Sequence, residues 1–258
     1  MGFMICSYAD ESGDQHPGVY SVCGLIAKLE DFVELERRWR KALNEQHLAE
    51  FHAAKIENHL RPFDDPSFDS DRRAFLQRTF IGLITEQPIW GFNAFVEIQA
   101  LSKHADRLRP FVSDVKPYTF SFRMLVEIMA IEVDDYIKRD PIAFVFDQQN
   151  EYEGRAKEIY DRLSTDGEWP LAYRLGSLSF QSRLIFVALQ AADTWAYESR
   201  KHVADVLYLK HPERWQFSLF KNAARFNIKG YPEAELLKLI AKYEQGDDER
   251  PESSSVRQ

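Results

Sequence analysis

The chain has 258 residues, 45% of them apolar and 14% aromatic, which excludes a disordered or fibrous protein and provides for one large domain or two small ones. With 33 basic against 41 acidic residues the net charge is −8, so there is no global attraction to nucleic acid or to an anionic membrane, and any nucleic-acid contact has to be local. Cys6 and Cys23 form neither a disulfide framework nor a CxxC zinc site, no apolar run approaches the ~18 residues of a membrane span, and no basic leader precedes Ile5; the sequence reads as cytoplasmic and reducing.

In chain order, Ile5–Ala9 is a short apolar run stopped by Asp10-Glu11-Ser12-Gly13-Asp14, and Val19–Ile26 follows closely enough to complete a hairpin. From Glu30 the period changes, and Phe32, Leu35, Trp39 and Leu43 recur at helical spacing. The stretch around Glu50-Phe51-His52 carries no assignable pattern. Ser70 as N-cap, followed by Phe75, Leu76, Phe80, Leu83 and Ile84, predicts a second helix ending before Pro88. Ile89–Val96 reads as a third strand, and Pro117 to Ile137 as a long, largely buried helix. Ile142–Phe146 is continuously apolar between Pro141 and Asp147, as expected of a strand covered on both faces. A helix over 151–164, a strand near 173–179 and a helix over 182–200 follow, and this alternation argues for a mixed sheet between helical layers. Residues 1–200 form the main domain in this reading, 201–244 a helical extension packed on it, and the polar stretch 245–258 a disordered tail.

Three aspartates stand where a plain core would not put them. Asp10 follows the first strand, and Asp147 follows the most apolar one. If those strands are parallel neighbours, ~4.8 Å apart, both carboxylates project at the edge where open α/β sheets bind ligands. Asp193 shares a helical stripe with Phe186, Leu189 and Ala196, so an acid falls on the face that should meet the sheet. Each has a plainer reading as a turn residue, a cap or a backbone acceptor. Collectively they pose an electrostatic problem, since two unit charges ~5 Å apart cost on the order of 3 kcal/mol at an effective dielectric of ~20. Protons or a cation have to intervene, and hard carboxylate oxygens suit Mg²⁺ or Mn²⁺. Glu11 reads as the neighbour facing away from Asp10 unless a bulge reverses it.

The segments Tyr8-Ala9-Asp10-Glu11-Ser12-Gly13, Glu50-Phe51-His52-Ala53, Phe144-Val145-Phe146-Asp147 and Leu189-Gln190-Ala191-Ala192-Asp193 resemble the signatures of domain-of-unknown-function family 3800, over nearly all of the chain up to Arg200. The resemblance implies a ribonuclease-H-like fold, a mixed sheet with helices on both faces. It also implies metal-binding acids on the first strand, the fourth strand and a late helix, here Asp10, Asp147 and Asp193. Better-known relatives of that fold place a glutamate in the first helix. Glu34 and Glu36 do not face inward in this reading, which leaves Glu11 and Glu50 as open candidates for a fourth acid and His52 as a proton shuttle.

Two functional classes follow. One is a metal-dependent nuclease, supported by a local charge reversal: between Arg200 and Lys229 seven basic residues stand against two acids. Arg200, Lys201, Lys210, Arg214, Lys221 and Arg225 are the candidate backbone contacts, and Tyr208, Trp215, Phe217, Phe220 and Phe226 the candidate stacking platforms for a single strand. The bland alternative makes those aromatics core residues and the cations their solvated face. The other class is a non-catalytic binding or scaffold module of a mobile-element or defence system. A phosphatase acting on small phosphate esters is a third, weaker reading.

Overall fold

The computed structural model describes residues 4–14, 18–112, 114–132, 140–148 and 151–245. Strands β1 (Ile5–Asp14) and β2 (Val19–Lys28) form the expected hairpin, in continuous antiparallel register from Ile5 opposite Lys28 to Asp14 opposite Val19. Strand β1 outruns its apolar stretch, because ladder hydrogen bonds need backbone and not hydrophobic side chains. Asp10 therefore lies inside the strand, opposite Cys23, and not after it.

Helix α1 (Leu29–Glu45) buries the predicted stripe Phe32, Leu35, Trp39 and Leu43. The unassigned stretch contains the short helix α2 (Ala53–Glu57), with His52 at its N-cap position. Helix α3 (Ser70–Thr85) is capped one residue earlier than predicted: the Asp69 carboxylate accepts from the Arg72 N–H at 2.8 Å. Strand β3 (Trp90–Glu97), helices α4 (Ile98–Lys103), α5 (Ala105–Leu108) and α6 (Pro117–Glu132), strand β4 (Ile142–Asp147) and helix α7 (Glu153–Thr165) follow. The end of the long helix expected to reach Ile137 lies outside the described residues.

Strand β5 (Leu175–Gln181) begins later than predicted, because Ala172–Arg174 is a 3₁₀ turn. Helix α8 (Ala188–His202) also starts six residues later than predicted, since the Ser182 carbonyl accepts from the Ile185 and Phe186 N–H groups in a turn of its own. A π-helical segment (Val203–Leu209), helix α9 (Trp215–Asn222), strand β6 (Phe226–Tyr231) and helix α10 (Glu233–Glu244) complete the described chain. Apart from Gln245, the predicted polar tail lies outside it.

Among the described residues the strands make a six-stranded mixed sheet in the order β5-β4-β1-β2-β3-β6. Strand β2 is antiparallel to both neighbours, while β1 with β4, β4 with β5 and β3 with β6 run parallel. One face packs on α6, α7 and α10 through Phe122, Leu125, Ile159 and Ile240, and the other on α1, α3, α8 and α9 through Trp39, Phe80, Trp195 and Phe220. The α/β layering with helices on both faces agrees with the sequence reading. The boundary at residue 200 and the helical extension do not hold. Helix α8 runs through Arg200, and β6 enters the same sheet with Phe226 beside Gly91 and Tyr231 beside Val96. Gly91 is required there, because a Cβ would collide with the Phe226 ring.

Candidate functional site

Strand parity brings the three aspartates together. On β1, Ile5 and Ala9 enter the core under α6, whereas Cys6 and Tyr8 enter the core under α8, so Asp10 faces α8. On β4, Phe144 and Phe146 face α6, which turns Asp147 to the α8 side. The parallel register pairs Ala9 with Phe146, and the two acids are the next residues along each strand. Asp193 comes down from α8, whose residues 188–200 are buried all round between the sheet and the helices outside it. All three side chains are buried, Asp10 most completely.

The group they surround is Arg183, in the turn between β5 and α8. Its guanidinium hydrogen-bonds the Asp147 carboxylate, lies 3.3 Å from Asp193 Oδ1, and lies 3.6 Å from Asp10 Oδ2. The Arg183 N–H also donates to Asp147 Oδ1 at 3.3 Å. One guanidinium thus stands among three carboxyl groups, and the consequence is visible at Asp10. Burial first, then the charges of Glu11 and Asp193, hold the Asp10 carboxyl well above the usual carboxylate range against the pull of Arg183. Asp10 Oδ1 accepts the Glu11 N–H at 2.9 Å, but Oδ2 is buried without a hydrogen-bond partner. Burial works against the Arg183 charge, yet the three aspartates outweigh it and raise its pKa further.

His52 joins this group and Glu50 does not. His52 Nδ1 is 3.1 Å from Asp193 Oδ2, which also accepts the Ala53 N–H at 3.0 Å, so the start of α2 is fastened to α8 at the site. The Glu50 carboxylate is taken by Lys55 in an ion pair. Glu11 is carried to the opposite face by the uninterrupted register, where it lines a cleft of about 690 Å³ with Tyr20, Ile98 and Pro117. Burial pushes its carboxyl up to about 7, although hydrogen bonding with Asp10 acts against the rise. Glu50 therefore does not sit among the three aspartates, and Glu11 meets them only through its hydrogen bond with Asp10. The acids of α1 are also directed elsewhere, Glu34 to Arg37 and Glu36 to the Ala188 N–H at the start of α8.

The basic stretch does not form the surface expected of it. Arg200 is buried and donates to Ser12 Oγ at 2.7 Å. Arg214 bridges Glu198 and Glu57 at 3.1 and 3.0 Å. Arg225 donates to the carbonyls of Thr85, Gln87 and Ile89, tying the entry of β6 to the end of α3. Lys221 pairs with Glu213 at 3.0 Å, while Lys201 is half-buried and Lys210 exposed. Phe217 and Phe220 are core residues packed against Trp195, as the plainer reading has it, whereas Trp215 is 37% exposed. The reason is topological: β6 has to be covered, and this stretch supplies its cover.

Arg183 and Gln190 are the site residues that sequence reasoning missed. Gln190 Oε1 accepts from Trp39 Nε1 and the Phe51 N–H, and its Nε2 donates to the Arg183 carbonyl, binding three segments beneath the site. The available signal was a cation ten residues before a buried aspartate, hidden by reading Ser182 as the first residue of the helix.

Among the described residues no group of three or more His, Cys, Asp or Glu is assembled to hold a metal ion. The donor chemistry nevertheless fits a hard divalent cation: three carboxylates already converge on a cation, the guanidinium, and one buried carboxylate oxygen lacks a partner. No protein-family model matches the chain, and no curated protein is significantly similar to it. Among the described residues no helix is long and apolar enough to cross a membrane.

Proposed function

We propose that this chain is a ribonuclease-H-like nuclease that depends on Mg²⁺ or Mn²⁺ and hydrolyses phosphodiester bonds of DNA or RNA. The observation that carries this reading is the convergence of Asp10 from β1, Asp147 from β4 and Asp193 from α8 on a single cation. First strand, fourth strand and late helix are the positions that the resemblance to domain-of-unknown-function family 3800 implies for metal ligands. A divalent metal bound there supplies an activated water and stabilises the leaving oxygen. Asp10, Asp147 and Asp193 are the proposed ligands, and burial keeps competing water away from them. His52, in contact with Asp193 and partly open to solvent, is the proposed proton carrier. The basic stretch from Arg200 to Lys229 adds no support, because Arg200, Arg214 and Arg225 serve the fold.

A cleavage screen with single- and double-stranded DNA and RNA in Mg²⁺ and Mn²⁺, alongside a nitrophenyl phosphate control, tests the reading. Cleavage of nucleic acid that falls by at least about 100-fold in Asp147→Asn, roughly 2.7 kcal/mol of transition-state stabilisation, is the expected result. Turnover of the phosphate ester alone would make the chain a phosphatase. The scaffold reading has one observation in its favour, that Arg183 already gives the acids a counter-charge without metal. Partner binding indifferent to chelator, with every nucleic acid intact, would establish it.

A further inference from the structure

Arg183 has two features that a merely structural counter-ion does not need. Its backbone is pinned on both sides, by the N–H to Asp147 Oδ1 at 3.3 Å and by the carbonyl from Gln190 Nε2 at 3.1 Å, so the side chain can leave the acids while its Cα stays at the mouth of the site. The next two residues, Leu184 and Ile185, are 63% and 65% exposed, and the Arg183 side chain is itself 24% exposed, so the turn that carries it borders solvent. A divalent cation on the oxygens that Arg183 now engages, Asp147 Oδ2, Asp193 Oδ1 and Asp10 Oδ2, would lie against the guanidinium, and repulsion between the two cations favours exchange of one for the other. A departing guanidinium stays tethered beside the acids, and its planar fork matches phosphate oxygens.

We propose that Arg183 is the substrate-phosphate ligand of this site, held in reserve on Asp10, Asp147 and Asp193 until a divalent cation exchanges with its guanidinium. This rests on the nuclease reading above and adds to it a residue that binds the phosphodiester. The exchange gives Arg183 opposite effects on the two ligands: it competes with metal and it attracts phosphate. A purely structural arginine would strengthen both or neither.

The test measures binding, with wild type, Arg183→Gln and Arg183→Lys. Mn²⁺ affinity is read by calorimetry, and affinity for a single-stranded oligonucleotide is read by fluorescence anisotropy with Ca²⁺ in place of Mn²⁺. The expected result is Mn²⁺ binding about 10-fold tighter in Arg183→Gln together with oligonucleotide binding at least about 10-fold weaker. Arg183→Lys, which keeps the charge and loses the fork, should fall between on both readouts and guards against failure of the glutamine variant to fold. Unchanged or weaker Mn²⁺ binding in Arg183→Gln overturns the exchange. Tighter Mn²⁺ binding with unchanged oligonucleotide affinity overturns the phosphate role while leaving the metal site standing. Absence of Mn²⁺ binding in all three proteins, oligonucleotide present or not, overturns the nuclease reading itself.

Discussion

Two arginines sit among acids of helix α8 and its neighbours, and they differ in kind. Arg214 lies between Glu198 and Glu57 at hydrogen-bonding distance of each, closing the start of α9 onto α2 and α8. Arg183 lies among Asp10, Asp147 and Asp193, three carboxyl groups to one guanidinium, with one carboxyl oxygen left without a hydrogen bond. Asp193 and Glu198 are five residues apart, or about 7.5 Å of helix rise, so the contrast is not one of environment along the chain. It is one of charge balance. A cluster near balance is a clamp, and a cluster far from balance is a place for a cation that the protein does not itself provide.

The largest expected effect separates the two directly. Arg214→Ala leaves the buried Glu198 carboxyl without its partner and the half-buried Glu57 with Gln77 alone, and should cost about 3 kcal/mol in urea unfolding, with no recovery on adding Mn²⁺. Arg183→Ala should cost a comparable amount in chelator and regain most of it in Mn²⁺, since the ion takes the place of the guanidinium. Equal recovery of both variants would erase the distinction.

A smaller effect concerns pH. Burial pushes the Glu198 carboxyl up to about 7, against an ordinary value of 4.5, in spite of the attraction of Arg214. Between those values the folded chain holds a proton that the unfolded chain has lost. The stability from Glu198 is therefore complete below the unfolded value and disappears as pH rises through 7, a change on the order of 3 kcal/mol at most. Thermal unfolding from pH 5 to pH 8 should show a fall in Tm that is shallower in Glu198→Gln; parallel profiles would mean that Arg214 keeps Glu198 ionised throughout. Smaller again, Asp69→Ala should cost about 1 kcal/mol through loss of the α3 cap, and Ser70→Ala much less. Lys221→Ala, which breaks an exposed pair, should change stability by no more than about 0.5 kcal/mol and so mark the noise level for the buried clusters.

The aspartates were legible in the sequence because each lies next to an unambiguous apolar pattern: Asp10 after Ile5–Ala9, Asp147 after Ile142–Phe146, Asp193 within a helical stripe. Parity then does the rest, and a period of two is easily read. Arg183 was not legible, because whether residue 183 begins a helix or stays in a turn depends on hydrogen bonds to Asp147 and Gln190 that exist only in the folded chain. The basic stretch misled for a related reason. Arg200, Arg214 and Arg225 look like a surface in one dimension, and their acceptors come from β1, α2, α8 and the end of α3, distant in sequence. Strand β6 was hidden in the same way, its half-buried residues carrying no clean alternation while its place in the sheet is set by pairing with β3.

The central claim is that the three aspartates hold a divalent ion, and calorimetric titration of Mn²⁺ into wild type, Asp147→Asn and Asp193→Asn, with and without an oligonucleotide, tests it most directly. The account predicts stoichiometric binding by the wild type, strengthened by the oligonucleotide and lost in both variants. Binding that survives both substitutions, or a wild type that takes up no metal even with nucleic acid present, would contradict it.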